Sequence, residues 1–318
     1  MENNKAVITF SIVVPVFNEK DNIFPFYERT VKVMGELHEP FEIIFINDGS
    51  RDTTLDVLAL LHQKDKRVKV IDLARNYGKE IALTAGIDYS SGKAVIPIDV
   101  DLQDPPEIIP RLAEKWKEGY EVVYATRESR QGESWLKKLT AAMFYKVIGS
   151  FVHINIPPNT GDFRLIDRKA VDALKELRET HRFMKGLFSW IGFRQTGILY
   201  QREPRFAGNT KWNYWKLINF AIEGITSFSN IPLRLATYLG LIVSLCALLY
   251  GLFFFITTLI IGNPVPGYPS LLVIVLFIGG VQLFCMGLIG EYIGRIYDES
   301  KQRTLYFVRD KIGFNDTP

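Results

Sequence analysis

Between Thr237 and Ile261 the chain has 25 consecutive residues without a charge, and a second uncharged stretch runs from Tyr268 to Gly290. As a helix rising about 1.5 Å per residue, either stretch spans roughly 30 Å of hydrocarbon. A globular core rarely holds two such runs so close together, so the pattern predicts a transmembrane hairpin. The connector Gly262–Gly267 has no Lys or Arg, whereas Arg234 precedes the first run and Arg295, Lys301, Arg303, Arg309 and Lys311 follow the second. Basic residues are retained on the cytoplasmic side, so the connector is expected outside and both termini in the cytoplasm. The segment Ile8–Phe17 is too short for a secretory signal and contains Pro15, so it reads as a strand.

The expected division is a cytoplasmic catalytic domain (1–211), an amphipathic juxtamembrane segment (212–236), spans at 237–261 and 268–290, and a basic cytoplasmic tail (291–318). The two cysteines, Cys246 and Cys285, both fall inside the spans, and act as small apolar packing residues, not as a disulfide. A formal net charge of +3 with no long basic run gives no footprint for nucleic acid, and no zinc spacing is present.

Apolar β-branched runs alternate with helical patterns through the first half. Strands are expected at Ile8–Val14, Glu42–Ile46, Val68–Leu73, Ala94–Ile98 and Val122–Ala125, with helices near Asn22–Leu37, Thr53–Gln63, Glu80–Tyr89 and Pro106–Lys117. This alternation predicts an α/β fold, a mostly parallel sheet with helices on both faces. Pro97 counts against the fourth strand, because proline is normally kept to edges and bulges. Amphipathic helices are expected at Ser134–Phe151 and at Trp212–Phe228, the latter suited by Trp212, Tyr214, Trp215 and Lys216 to the headgroup layer.

The chemistry concentrates where these strands end. Asp99-Val-Asp-Leu-Gln-Asp104 directly follows the fourth strand, so Asp99 and Asp101 place hard oxygen donors at a sheet edge. Such donors suit Mg²⁺ or Mn²⁺, which rest on one or two carboxylates plus substrate phosphates. The first strand ends in Pro15-Val-Phe-Asn18-Glu19, the second in Asn47-Asp48-Gly-Ser50 and the third in Arg75-Asn-Tyr-Gly-Lys79. Taken singly, Asp48 reads as a turn or helix cap. Four successive strands with polar carboxyl ends make the crevice that a nucleotide requires.

These segments, with Asn159-Thr-Gly-Asp162-Phe-Arg164, resemble the motif series of family 2 glycosyltransferases with the Rossmann-like GT-A fold. The segment from Arg205 to Trp215 and Gly290-Glu-Tyr-Ile-Gly-Arg-Ile-Tyr297 resemble the polyisoprenyl-phosphate branch, related to dolichol-phosphate mannose synthase and bacterial polyprenyl-phosphate glucosyltransferases. The resemblance covers nearly the whole chain. It implies inverting transfer of one sugar from a nucleotide diphosphate to a membrane polyprenyl phosphate such as undecaprenyl phosphate, at the cytoplasmic face of the plasma (inner) membrane. UDP-glucose is the expected donor, with mannose, N-acetylhexosamine and amino-arabinose donors as alternatives. Pro15, Asn18, Glu19, Asp48, Arg75 and Lys79 would hold the nucleotide sugar; Asp99, Asp101 and Gln103 the Mg²⁺ or Mn²⁺. Asp99, Asp101 and Asp162 would be the catalytic acids, with Asp162 orienting the acceptor in preference to acting as an obligate base.

For the lipid phosphate, the expected cations are Arg127, Arg130, Lys137, Arg205 and Lys211, the arginines offering a planar fork of donors. Glu291 and Arg295, four apart, are expected to form a local ion pair. A processive polysaccharide synthase is disfavoured because no Gln-x-x-Arg-Trp motif follows. A non-catalytic lipid-binding or flippase-associated membrane scaffold, the reading from another class, has no need for Asp99, Asp101 and Asp162. A second copy of the chain is left open as a partner.

Overall fold

A computed structural model describes residues 7–128, 157, 159–204, 231–261 and 267–314. Its first half alternates β1 (Phe10–Val16), α1 (Lys20–Leu37), β2 (Phe41–Asn47), α2 (Thr54–Lys64), β3 (Val68–Leu73), α3 (Lys79–Tyr89) and β4 (Ala94–Pro97). A 3-10 turn (Pro106–Ile108), α4 (Ile109–Lys117) and β5 (Val122–Arg127) follow. Then come β6 (Thr160–Asp167), α5 (Arg168–Glu176), α6 (Met184–Trp190), β7 (Gln195–Tyr200), two long helices α7 (Ile231–Ile261) and α8 (Tyr268–Ser300), and β8 (Val308–Ile312).

The eight strands form one sheet in the order β7-β5-β6-β4-β1-β2-β3-β8. Pairs β1–β2, β1–β4, β2–β3 and β5–β7 are parallel. Pairs β4–β6, β5–β6 and β3–β8 are antiparallel, so the sheet is mixed where the sequence indicated only its parallel part. Successive strand residues alternate between two apolar layers, as a period of two requires. Phe10, Ile12 and Val14 of β1 pack with Ile23, Phe26 and Met34 of α1 and with Leu58 and Leu61 of α2. Val13 joins Ile44, Ile46, Ala82, Leu83, Ala170 and Phe188 on the other face. The chain runs from β1 through β2 to β3 and then crosses back to place β4 on the other side of β1, and the carboxyl ends at that reversal form the crevice where such folds bind ligands.

Pro97 is accommodated because it is the last residue of β4, paired with Val13, and Ile98 supplies the next N–H to the carbonyl of Val13 at 3.0 Å. The tail expected at 291–318 is a different object. Its first ten residues continue α8 to Ser300, and Val308–Ile312 return to the sheet as an edge strand against β3. A five-residue segment carrying Arg309, Asp310 and Lys311 has too few apolar residues to signal a strand from periodicity.

Helices α7 and α8 are long and apolar enough to cross a membrane, and the apolar windows that qualify them are not buried within the protein. Leu241, Leu245, Phe253, Phe284 and Met286 are each more than half exposed. Apolar surface on this scale needs a nonaqueous cover, which excludes a pair of core helices and is met by a bilayer. Arg295 and Glu291 form the expected pair at 3.2 Å. The helices expected at Ser134–Phe151 and Trp212–Phe228 lie outside the described residues.

Candidate active site

Two loops interlock at the ends of β2 and β3. The Asp48 carboxylate accepts N–H bonds from Tyr77 at 2.7 Å and Gly78 at 3.0 Å, and Asn76 Nδ2 donates to the Asp48 carbonyl at 3.0 Å. Gly49 has φ +67°, and a Cβ there would lie 2.6 Å from the backbone of Arg75 and Asn76. Only glycine combines that backbone with that approach. Burial raises the Asp48 pKa, against the two N–H bonds that lower it. Asp48 thus fastens the two loops.

The end of β1 joins the same assembly. Asn18, at φ +54°, takes a bond from Arg51 N–H at 2.8 Å and donates its own N–H to Ser50 at 2.9 Å. Glu19 accepts from Asn22 at 2.6 Å, while Pro15 sits half-buried in β1. Arg75 is exposed and lies over the Tyr77 ring at 4.6 Å.

Beyond β4 the chain makes a tight reversal at Asp101–Gln103. Gln103 N–H donates to Asp101 Oδ1 at 3.1 Å, and Leu102 takes φ +60° while 3% exposed. A left-handed, buried leucine costs roughly 1–2 kcal/mol, a strain retained when surrounding structure dictates the conformation, commonly at functional sites. Gln103, expected as a metal ligand, has its amide oxygen engaged by Arg202 at 2.5 Å.

The central contact is made by Lys79 at the start of α3. Its ammonium lies 2.7 Å from Asp99 Oδ1 and 2.7 Å from Asp162 Oδ2, joining a carboxylate after β4 to one on β6. Burial disfavours this ammonium, but Asp162 and Asp99 outweigh it and hold the pKa well above the usual lysine value. Burial would likewise raise Asp162, yet Lys79, Lys185 and Arg164 keep it far below the usual carboxylate range. Asp99 is raised, by burial first, with Asp162 and Asp104 adding to it and Lys79 opposing.

Several partners escaped sequence reasoning. Glu80 accepts the Met184 N–H at 3.2 Å, and burial with the nearby Asp162 charge raises its pKa to about 7. Lys185 of α6 is half-buried and feels Asp162, Glu80, Lys79 and Arg127, with burial lowering its pKa. It makes no hydrogen bond or ion pair of its side chain among the described residues. Arg164 is 3% exposed, donates to the Gly161 carbonyl at 2.7 Å and stacks on Phe188 at 3.9 Å. Asp104 accepts from the Tyr200 hydroxyl, which Arg127 Nε approaches at 3.3 Å. Arg164 and Asp104 stand in segments already singled out in the sequence, but they meet Glu80, Lys185 and Tyr200 only because the fold brings β6, β7 and α6 to the crevice. Of the expected lipid-phosphate cations, Arg127 is placed here, while Arg130, Lys137, Arg205 and Lys211 lie outside the described residues.

The donor set suits a hard divalent ion. No three His, Cys, Asp or Glu side chains among the described residues form a ready-made cage. A Mg²⁺ or Mn²⁺ site needs none, because one or two carboxylates suffice when phosphates and water fill the other positions. Asp99 and Asp101 would be those carboxylates, and Asp162 Oδ1 is a buried oxygen without a hydrogen-bond partner among the described residues.

Comparison with known proteins gives the same answer as the geometry. The family model "Glycosyl transferase family 2" matches residues 11–175, and "GtrB C-terminal hairpin" matches 231–296. An uncharacterised glycosyltransferase of Synechocystis is 58% identical over 98% of both chains. A bactoprenol glucosyl transferase of Shigella phage SfV is 52% identical over 95% of this chain and 98% of its own. Among solved structures, glucosyl-3-phosphoglycerate synthase of Mycobacterium tuberculosis covers 70% of this chain and 79% of its own. At 19% identity and a TM-score of 0.46, that likeness is too distant to carry residue roles across. The chain is a membrane-associated glycosyltransferase with a GT-A catalytic domain, and it belongs to glycosyltransferase family 2.

Proposed function

We propose that this enzyme transfers one glucose from UDP-glucose to a polyprenyl phosphate such as undecaprenyl phosphate, with inversion, at the cytoplasmic face of the membrane. The observation that carries the reading is the Lys79 bridge: Asp99, read as the donor-side carboxylate, and Asp162, read as the acceptor-side one, both meet one ammonium. Relatives named bactoprenol glucosyl transferase, at 52% identity, support both the lipid acceptor and glucose. The apolar helices α7 and α8 support an acceptor that stays in the bilayer.

In this reading an acceptor phosphate oxygen attacks the anomeric carbon opposite the nucleotide. The new C–O bond forms as the bond to the β-phosphate oxygen breaks, and UDP leaves with the electron pair. A phosphate monoester with a second pKa of about 6 is already ionised at neutral pH and needs little help from a base. Asp162 is accordingly an orienting anion, because its neighbouring cations make it a weak proton acceptor. Lys79 fixes Asp162 against Asp99, and positioning of this kind supplies much of the acceleration. Asp99 and Asp101 would hold a divalent ion, whose contribution is Lewis-acid stabilisation of the departing diphosphate.

The test offers membranes containing the protein a panel of labelled nucleotide sugars with undecaprenyl phosphate, with and without Mg²⁺ or Mn²⁺. Lipid-linked glucose is expected from UDP-glucose only with the ion. Asp101→Ala should remove at least about a hundredfold of the rate while the protein still inserts. No lipid-linked product from any donor would overturn the proposal, and product from another sugar would replace glucose as donor.

A further inference from the structure

The segment after the membrane helices does more than end the chain. It reaches the loop Ala74–Gly78, whose Tyr77 and Gly78 amides hold Asp48, by three links, and the end of β3 by a fourth. Ala74 N–H donates to the Phe307 carbonyl at 2.9 Å, and Phe307 N–H donates to the Tyr77 hydroxyl at 3.3 Å. Arg309 donates to the Ala74 carbonyl at 2.6 Å and lies 3.5 Å from Asp72, a 3% exposed carboxylate. Asp72 in turn accepts from Asn47 at 2.7 Å, the residue before Asp48. One strap therefore touches the Ala74–Gly78 loop directly and the Asp48 loop through Asp72.

The strap is anchored at its other end to the membrane helix. Glu299 of α8 accepts from Thr180 N–H at 2.7 Å, and Asp298 lies 3.1 Å from His181, just ahead of α6. Tyr306 then donates to Asp88 of α3 at 2.8 Å, and Asp88 is also held by Arg178 at 2.8 Å. Helix α3 begins at Lys79, the bridge between Asp99 and Asp162. Polar contacts thus tie the end of α8 to the segment Arg178–His181, and Arg178 and Tyr306 to Asp88 in the last turn of the helix that begins at Lys79.

We infer that the returning segment 306–312 is the positioning element of the donor loop, so that nucleotide affinity depends on residues that do not touch the nucleotide. Arg309 is the residue through which this is read, since its guanidinium ties Asp72 to Ala74. The inference rests on the proposed nucleotide-sugar reading for what the loop binds, but not for what holds the loop.

The test compares full-length Arg309→Ala and Arg309→Lys with the parent in lipid nanodiscs. Hydrogen exchange without any substrate should quicken across residues 74–80 in the alanine variant. The Kd for UDP and the KM for UDP-glucose should rise roughly three- to tenfold, as loss of a partly exposed charged hydrogen bond allows. Turnover at saturation and the KM for undecaprenyl phosphate should stay within about twofold of the parent. The lysine variant, which keeps the charge and one donor, should recover part of the affinity. Unchanged exchange at 74–80, or a fall in kcat with unchanged donor KM, would overturn the inference. Faster exchange in a protein whose parent does not bind UDP would sustain the strap and overturn the donor assignment instead.

Discussion

Glu80 offers the sharpest test of the electrostatics, because Glu80→Gln keeps the shape and an acceptor for Met184 N–H while removing a charge. Burial and then the Asp162 charge raise this carboxyl from an ordinary 4.5 to about 7, so the folded protein holds the proton more tightly than the unfolded chain. The sign follows. The stabilisation is complete below about pH 4.5 and is lost as pH rises through 7. At about 1.36 kcal/mol per pH unit the gap sets a ceiling of about 3 kcal/mol, and partial exposure with solvent screening reduces it to about 1–2 kcal/mol. Glutamine has no proton to lose, so its stability relative to the parent should improve from pH 5 to about pH 7 and level off towards pH 8. For a catalytic domain of this size the swing is roughly 2–6 °C in Tm. Thermal unfolding in detergent at pH 5, 6, 7 and 8 measures it directly. Parallel Tm-against-pH curves for the two proteins would show that Glu80 is charged throughout and that the assigned environment is wrong.

Lys185→Ala should cut transfer at least about tenfold, chiefly by raising the KM for the lipid phosphate, because a half-buried cation that feels Asp162 and makes no side-chain bond among the described residues suits an anion; an unchanged acceptor KM in initial-rate assays would remove it from the site. Asp162→Asn should lower kcat by about a hundredfold but leave the shape of the rate profile between pH 6 and 9 intact, since this carboxylate titrates far lower. Disappearance of a limb in that range would identify Asp162 as the base. Gly86→Ala would place a Cβ 2.2 Å from Val13 Cγ1 and 2.6 Å from Ile46 Cδ1, both fully buried. The overpacking should cost about 1–3 kcal/mol despite the gain in helix propensity, and a raised Tm would contradict the α3–β1 packing.

The parallel half of the sheet was legible because β1, β2 and β3 are each nearly continuous apolar runs and lie between helices of regular spacing. Their polar ends were legible for the same reason: a strand that stops at Asn47-Asp48 or Ile98-Asp99 announces where the sheet edge lies. The antiparallel additions were not. Strand β6 carries Asp162, Arg164 and Asp167 among its eight residues, and β8 has three charges in five, so neither shows an apolar run or a clean alternation. Their charges are tolerated where they stand because Lys79 meets Asp162, a carbonyl meets Arg164, and the β8 edge faces solvent.

The same difference separates the parts of the site. Asp99 and Asp101 could be found because their spacing is local, whereas their relation to Lys79 and Asp162 depends on β6 lying beside β4. A lysine between two carboxylates is a three-body arrangement drawn from α3, the β4 end and β6, and sequence spacing holds no trace of it. Its energetic logic is nonetheless plain. Asp99 and Asp162 would repel each other and hold protons if left alone in a half-buried crevice, and one ammonium lets Asp162 remain an anion. That anion can organise an ionised acceptor only while a cation offsets it. Lys79 is therefore as much a part of the proposed chemistry as the two carboxylates that its motif made easier to see.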